Sequence, residues 1–158
     1  MLALAAGSCL LFGCPKEVRD TDIKVVSVGQ VKALWDRQQR GDQTAVYIID
    51  PRPAKTFNAE HIPGARNITL PKIDPKADRD PVIQRFENIV VYGDDPGSAT
   101  ARGMVKRLLA VEYKHIRFFA GGLKDWKSRG YPTDVAPAET KPAEAAPAET
   151  KPADSAPA

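Results

Sequence analysis

Two apolar runs of strand length in this sequence end on residues whose types could do chemistry. The first, Ala45–Ile49 (AVYII), runs into Asp50 and then Arg52; the second, Asn88–Tyr92 (NIVVY), runs into Gly93, Asp94 and Asp95. Pro96, Gly97, Ser98 and Ala99 follow, and a helical pattern begins at Thr100. A strand, a loop of small residues and a helix N-terminus form an anion cradle, because loop N–H groups and the helix dipole converge on one point. Such a cradle becomes catalytic when it holds a nucleophile whose pKa its field depresses. At the first position past the strand, however, this chain has Gly93. A different chemistry would use Asp50, Asp94 and Asp95 as oxygen ligands for a hard cation in a metal-dependent hydrolase. Adjacent acidic loop residues are more often solvated, so no metal and no cofactor are assigned. Tyr92-Gly93-Asp94-Asp95 also matches a polymerase metal-site string, but the body is far too small for that enzyme.

The elements that must position these residues follow from periodicity. Ile23–Val26 reads as a short strand, and Ser27 as the N-cap of a helix Val28–Arg40 with Val31, Leu34 and Trp35 on one face. Ala54–Ala59 reads as a short helix anchored by Phe57, Ala65–Ile68 as a strand, Leu70–Arg79 as loop and Pro81–Phe86 as a helical turn. Thr100–Val111 carries Met104, Val105, Leu108 and Leu109 at helical spacing; Ile116–Phe119 is a further strand and Gly122–Arg129 a last short helix. Continuous apolar strands separated by helices predict an α/β domain with a mostly parallel central sheet flanked by helices. Ligands of such sheets bind beyond the strand carboxyl ends, which is where Asp50 and Gly93 should lie.

Composition bounds the rest. The 158-residue chain carries a net charge of +3. Its last stretch holds four acids and two lysines, a balance of −2 that leaves +5 on residues 15–135. No Lys/Arg run with interleaved aromatics accompanies that excess, so no nucleic-acid partner is expected. The chain has two cysteines, Cys9 and Cys14, and none beyond. A disulfide framework, a structural zinc site and a thiol active site in the body are therefore excluded. Residues 1–14 (MLALAAGSCLLFGC) read as the apolar core of a secretory signal, too short at ~1.5 Å per residue to span a ~30 Å hydrocarbon layer. Leu11-Phe12-Gly13-Cys14 resembles the lipobox of bacterial lipoproteins, which implies acylation of Cys14, attachment to a membrane and an extracytoplasmic location at the cell envelope. The usual basic residues after Met1 are missing. Residues 15–21 read as a linker and 22–134 as the folded domain. Residues 135–158, which include the ten-residue repeat APAETKPAEA/APAETKPADS, read as a disordered tail without large apolar residues.

Three segments together resemble the rhodanese-like domain. Asp50, Arg52, Phe57 and His61-Ile62-Pro63-Gly64-Ala65 are similar to the family's first signature; Gly121-Gly122, Trp126 and Gly130-Tyr131-Pro132 are similar to its closing one. Active members carry a cysteine directly after the strand, followed by a loop with Gly, Arg and Ser. Aligned without gaps, that cysteine falls on Gly93, the arginine on Ser98 and the serine on Ala99. The resemblance thus implies the fold of a sulfurtransferase without its nucleophile: a non-catalytic binding or regulatory module, with the loop Gly93–Ala99 as a surface for a protein partner. A residual sulfur-transfer role using a partner's cysteine is the alternative. Asp94 and Asp95 oppose anion binding further, since each like-charge pair at about 4 Å costs on the order of 4 kcal/mol at an effective dielectric near 20. Restoring Gly93→Cys with Ser98→Arg is expected to restore persulfide formation if the loop keeps its shape. The framework residues have structural roles as well. Pro63-Gly64 suits a tight turn, Asp50 and Arg52 a pair that fixes the loop after the strand, and His61 a brace for the turn. Gly121-Gly122 suits a close approach of the last helix, and Trp126 the core.

Overall fold

The computed structural model describes residues 18–135. Cys9, Cys14, the signal segment and the repeat tail lie outside the described residues. Four strands, β1 (Tyr47–Asp50), β2 (Arg66–Asn67), β3 (Ile89–Tyr92) and β4 (Ile116–Phe119), form one sheet in the order β2-β1-β3-β4, with every pairing parallel. Five helices accompany them: α1 (Val28–Gln39), α2 (Ala54–Ala59), α3 (Pro81–Gln84), α4 (Ala99–Ala110) and α5 (Gly122–Ser128). The α/β architecture expected from the sequence is the one observed.

The three longer strands, β1, β3 and β4, are mostly apolar because both faces are covered. Ile49, Ile89, Val91, Ile116 and Phe118 face one cluster with Met104, Val105 and Leu108 of α4; Ile48, Val90, Tyr92 and Phe119 face the other with Val31, Leu123 and Trp126. The alternation is the two-residue period of a strand, and it sets α4 on one side and α1 and α5 on the other. Trp126 is fully buried, as its spacing on α5 requires, and its indole N–H donates to the Pro132 carbonyl at 2.7 Å. Ser27 caps α1 as its position predicts, in a reciprocal capping box with Gln30.

Several boundaries differ from the sequence reading. Ile23–Val26 does not form a strand; it contributes a single bridge, Val25 to Phe118. Ala45 and Val46 are buried but precede β1, and Asn88 precedes β3, with its carbonyl accepting from Tyr47 N–H at 2.8 Å and its side-chain amide donating to the Ala45 carbonyl at 2.9 Å. In these runs apolarity records burial, and the ladder occupies only part of it. The Ala65–Ile68 strand shrinks to two residues, and the loop from Leu70 starts with a 3-10 turn, Leu70–Lys72. Between α2 and β2, Ala65 N–H donates to the Ile62 carbonyl across Pro63 and Gly64 (φ +81°). This is the proline-then-glycine arrangement of a type II turn.

Candidate functional site

Asp50 ends β1 and Gly93 follows β3, so both lie at the carboxyl edge of the sheet. The hub there is Arg52, whose side chain is 4% exposed. Its Nε donates to both Asp50 oxygens at 2.9 and 3.1 Å and its Nη2 to Asp50 Oδ2 at 2.6 Å. Nη2 also donates to the Glu60 carbonyl at 2.8 Å, and Nη1 to Asp94 Oδ1 at 2.6 Å. One guanidinium thus ties β1, the end of α2 and the loop after β3. Burial alone would disfavour its charge, but the hydrogen bonds and charges of Asp50, and then Asp94, raise its pKa above the usual arginine range. The guanidinium also lies 5.6 Å from the centre of the Tyr92 ring. Tyr92 is wholly buried, and its hydroxyl accepts from Ile62 N–H at 3.1 Å. Burial first, and the negative charge of Asp50 second, push the phenol well above its ordinary pKa.

Within the loop Gly93–Ala99, Asp95 takes two of the backbone donors. Gly97 N–H donates to the Asp95 carboxylate at 2.9 Å and Ser98 N–H to the Asp95 carbonyl at 3.1 Å; Pro96 has no N–H to offer. Ser98 caps α4 by accepting from Ala101 N–H. The Gly93 and Asp94 carbonyls accept from Leu123 and Lys124 N–H at 2.8 and 2.9 Å. Loop and α5 are thereby sewn together, and Gly122 makes the seam possible. It has φ +63°, and a Cβ there would lie 2.5 Å from the Gly93 carbonyl oxygen. The neighbouring Gly121 has the Asp125 side chain within 2.5 Å of its own Cβ position.

Gly93 itself has no side-chain space. A Cβ there would fall on the Ser98 Oγ and Cβ and lie 3.2 Å from Ala101 Cβ. Its backbone is outside the left-handed region, so the obstacle is volume. This overturns the expectation that Gly93→Cys with Ser98→Arg restores the site: arginine keeps the obstructing Cβ. Gly93→Cys is expected to lower stability by about 1–3 kcal/mol through overpacking, and adding Ser98→Gly is expected to recover most of it at the cost of a weaker cap. Urea midpoints of the two variants test this; equal midpoints would show that Ser98 moves aside freely.

The Asp50, Asp94, Asp95 metal constellation does not assemble. Both Asp50 oxygens face Arg52, the same guanidinium holds Asp94, and Asp95 turns to its own loop. Among the described residues no three His, Cys, Asp or Glu side chains are placed to share a metal. The His61 ring packs against α2, with Nδ1 2.9 Å from the Phe57 carbonyl oxygen and the ring stacked on Phe57 at 3.9 Å.

Beside the loop lies an open cleft of about 410 Å³ bounded by Arg52, Thr56, Glu60, Asp94, Leu123 and Lys127, with Ala59, Asp95 and Lys124 completing the wall. Of the seven loop residues singled out from the sequence, Asp94 and Asp95 reach this cleft; Ser98 is turned towards Gly93, and Pro96, Gly97 and Ala99 are exposed elsewhere. Sequence reasoning passed over Glu60, Lys124 and Lys127. Glu60 accepts from Lys127 Nζ at 2.5 Å and from the Thr133 hydroxyl at 3.0 Å, and the Lys127 hydrogen bond, against slight burial, holds its carboxyl below the usual range. The available signal was the spacing on α5, where Leu123 and Trp126 turn inward and leave Lys124 and Lys127 outward.

Residues 30–129 match the family model described as Rhodanese-like domain. The chain belongs to the rhodanese-like domain family. Among curated proteins none matches it. Solved structures share the fold. The rhodanese-like domain of an Anabaena sp. protein is 22% identical, covering 85% of this chain and 96% of that one, with a TM-score of 0.51. A Rhodopseudomonas palustris protein described as a possible tyrosine phosphatase is 21% identical, covering 77% and 100%, with a TM-score of 0.58. Thiosulfate sulfurtransferase from Pseudomonas aeruginosa is 15% identical, with a TM-score of 0.53; the match covers 75% of this chain but 21% of that longer one. Identities this low establish the fold alone.

Proposed function

We propose that this rhodanese-like domain is a non-catalytic binding module that recognises its partner through the cleft walled by Arg52, Glu60, Asp94 and Asp95. The observation that carries the reading is the occupation of the Gly93 position by Ser98: the place for a nucleophile is filled, in a body that has no cysteine. A sulfane-sulfur carrier needs a thiolate. Two of the loop N–H groups, those of Gly97 and Ser98, are turned onto Asp95, and Asp94 occupies the free edge of the Arg52 guanidinium. The cleft instead offers fixed charges of both signs, which suits a polar protein surface. The module is tethered at the bacterial envelope by acylated Cys14, with residues 135–158 as a spacer.

Purified protein incubated with thiosulfate and cyanide is expected to form thiocyanate at the rate of the protein-free control. Turnover above that rate, lost on substitution of the loop, would refute the reading. For the tether, Cys14→Ser is expected to shift the protein from the membrane fraction to the soluble fraction.

A further inference from the structure

The two ends of the sheet differ. The cleft lies at the strand carboxyl ends, whereas the segment leading in from residue 18 lies at the opposite end, against α4 and the start of β4. Asp20 pairs with Lys106 at 2.9 Å, and Asp22, Lys24, Lys114 and Arg117 line one shallow concavity. Around it Arg19, Lys24, Arg102, Lys106, Lys114 and Arg117 face three acids, Asp20, Asp22 and Glu112, an excess of three positive charges. Lys24 and Lys114 are exposed and, among the described residues, have no carboxylate within ion-pairing distance. Val25, next to Lys24, is 63% exposed. The lining of the concavity alone holds three bases and two acids, whereas the cleft end is walled by three of each.

We infer that this basic face lies on an anionic lipid bilayer and that the cleft is consequently turned away from the membrane. The inference rests on the tether proposed above. Cys14 precedes Val18 by four residues, which at the full reach of about 3.5 Å per residue spans about 14 Å. The end of the domain that bears the cations is therefore the end held within about a Debye length or two of the headgroups. Acylated Cys14 holds the chain at the membrane, and a neighbouring basic patch adds attraction to anionic headgroups that fixes which face is turned towards them.

The test uses the mature chain from position 14 carrying Cys14→Ser, so that no acyl group contributes. It is expected to co-sediment with vesicles of phosphatidylglycerol and phosphatidylethanolamine at low salt, to be released by added salt, and to ignore vesicles of phosphatidylcholine. Lys24→Gln with Lys114→Gln is expected to weaken binding by on the order of 25-fold, about fivefold per lysine. Lys124→Gln with Lys127→Gln, at the cleft end, is expected to leave it unchanged. No binding to the anionic vesicles, equal binding to neutral ones, or an equal loss from the cleft pair would overturn the proposal. The mass of protein extracted from envelopes reports acylation of Cys14 separately, so failure of the tether and failure of the basic face give different results.

Discussion

Arg52→Ala is expected to cost about 3–5 kcal/mol of folding stability, because it leaves the Asp50 carboxylate buried without its counter-charge. Asp50 is fully buried, and three of the Arg52 hydrogen bonds end on its oxygens. The same substitution strips a donor from the Glu60 carbonyl and frees Asp94, so the effect spreads from β1 to α2 and the strand-end loop. At roughly 4 °C per kcal/mol for a domain of this size, thermal unfolding should move down by about 12–20 °C. Two controls separate this account from a general loss of packing. Asp94→Ala removes a partner whose side chain is 63% exposed and should cost about 1 kcal/mol or less. Asp50→Asn combined with Arg52→Met removes both charges and should recover much of the loss. A cost for Arg52→Ala no larger than that of Asp94→Ala would show that Asp50 finds water or another donor.

Gly122→Ala should be nearly as damaging, at about 2–5 kcal/mol, for a different reason. Its φ of +63° penalises any L side chain by about 1–2 kcal/mol. Its Cβ would also meet backbone, the Gly93 carbonyl oxygen at 2.5 Å and the Asp94 carbonyl at 2.8 Å, which cannot rotate away as a side-chain tip could. Relief requires α5 to retreat from the loop, breaking the Leu123 and Lys124 amide bonds to Gly93 and Asp94. Gly130→Ala is the matched comparison: its φ is +71° but nothing lies within 4 Å of the added carbon. The difference between the two, read from urea unfolding, isolates the close approach. Equal costs would mean that the seam between loop and α5 gives way without penalty. Hydrogen exchange at Leu123 and Lys124 should accelerate in the first variant alone.

What the sequence determined by itself is what local pattern determines. The apolar runs around Ile48 and Val90, the cap at Ser27, the Pro63-Gly64 turn and the inward Trp126 are all short-range features, set by periodicity and backbone preference. The absence of cysteine from residues 15–158 is likewise plain in the sequence. Strand limits were less legible, because Ala45 and Val46 are buried as strand residues are while they precede the paired residues of β1. The character of the strand-end loop was decided by tertiary structure alone. Ser98, Asp95 and Arg52 lie 5, 2 and 41 positions from Gly93, and only the folded chain brings the first into the glycine's side-chain volume and turns the last onto Asp94. The cleft is likewise assembled from α2, the loop and α5, segments that share no sequence signal. Asp50 and Arg52 pair because burial takes both out of solvent, whereas the exposed Asp94 and Asp95 are placed only by proximity in the fold.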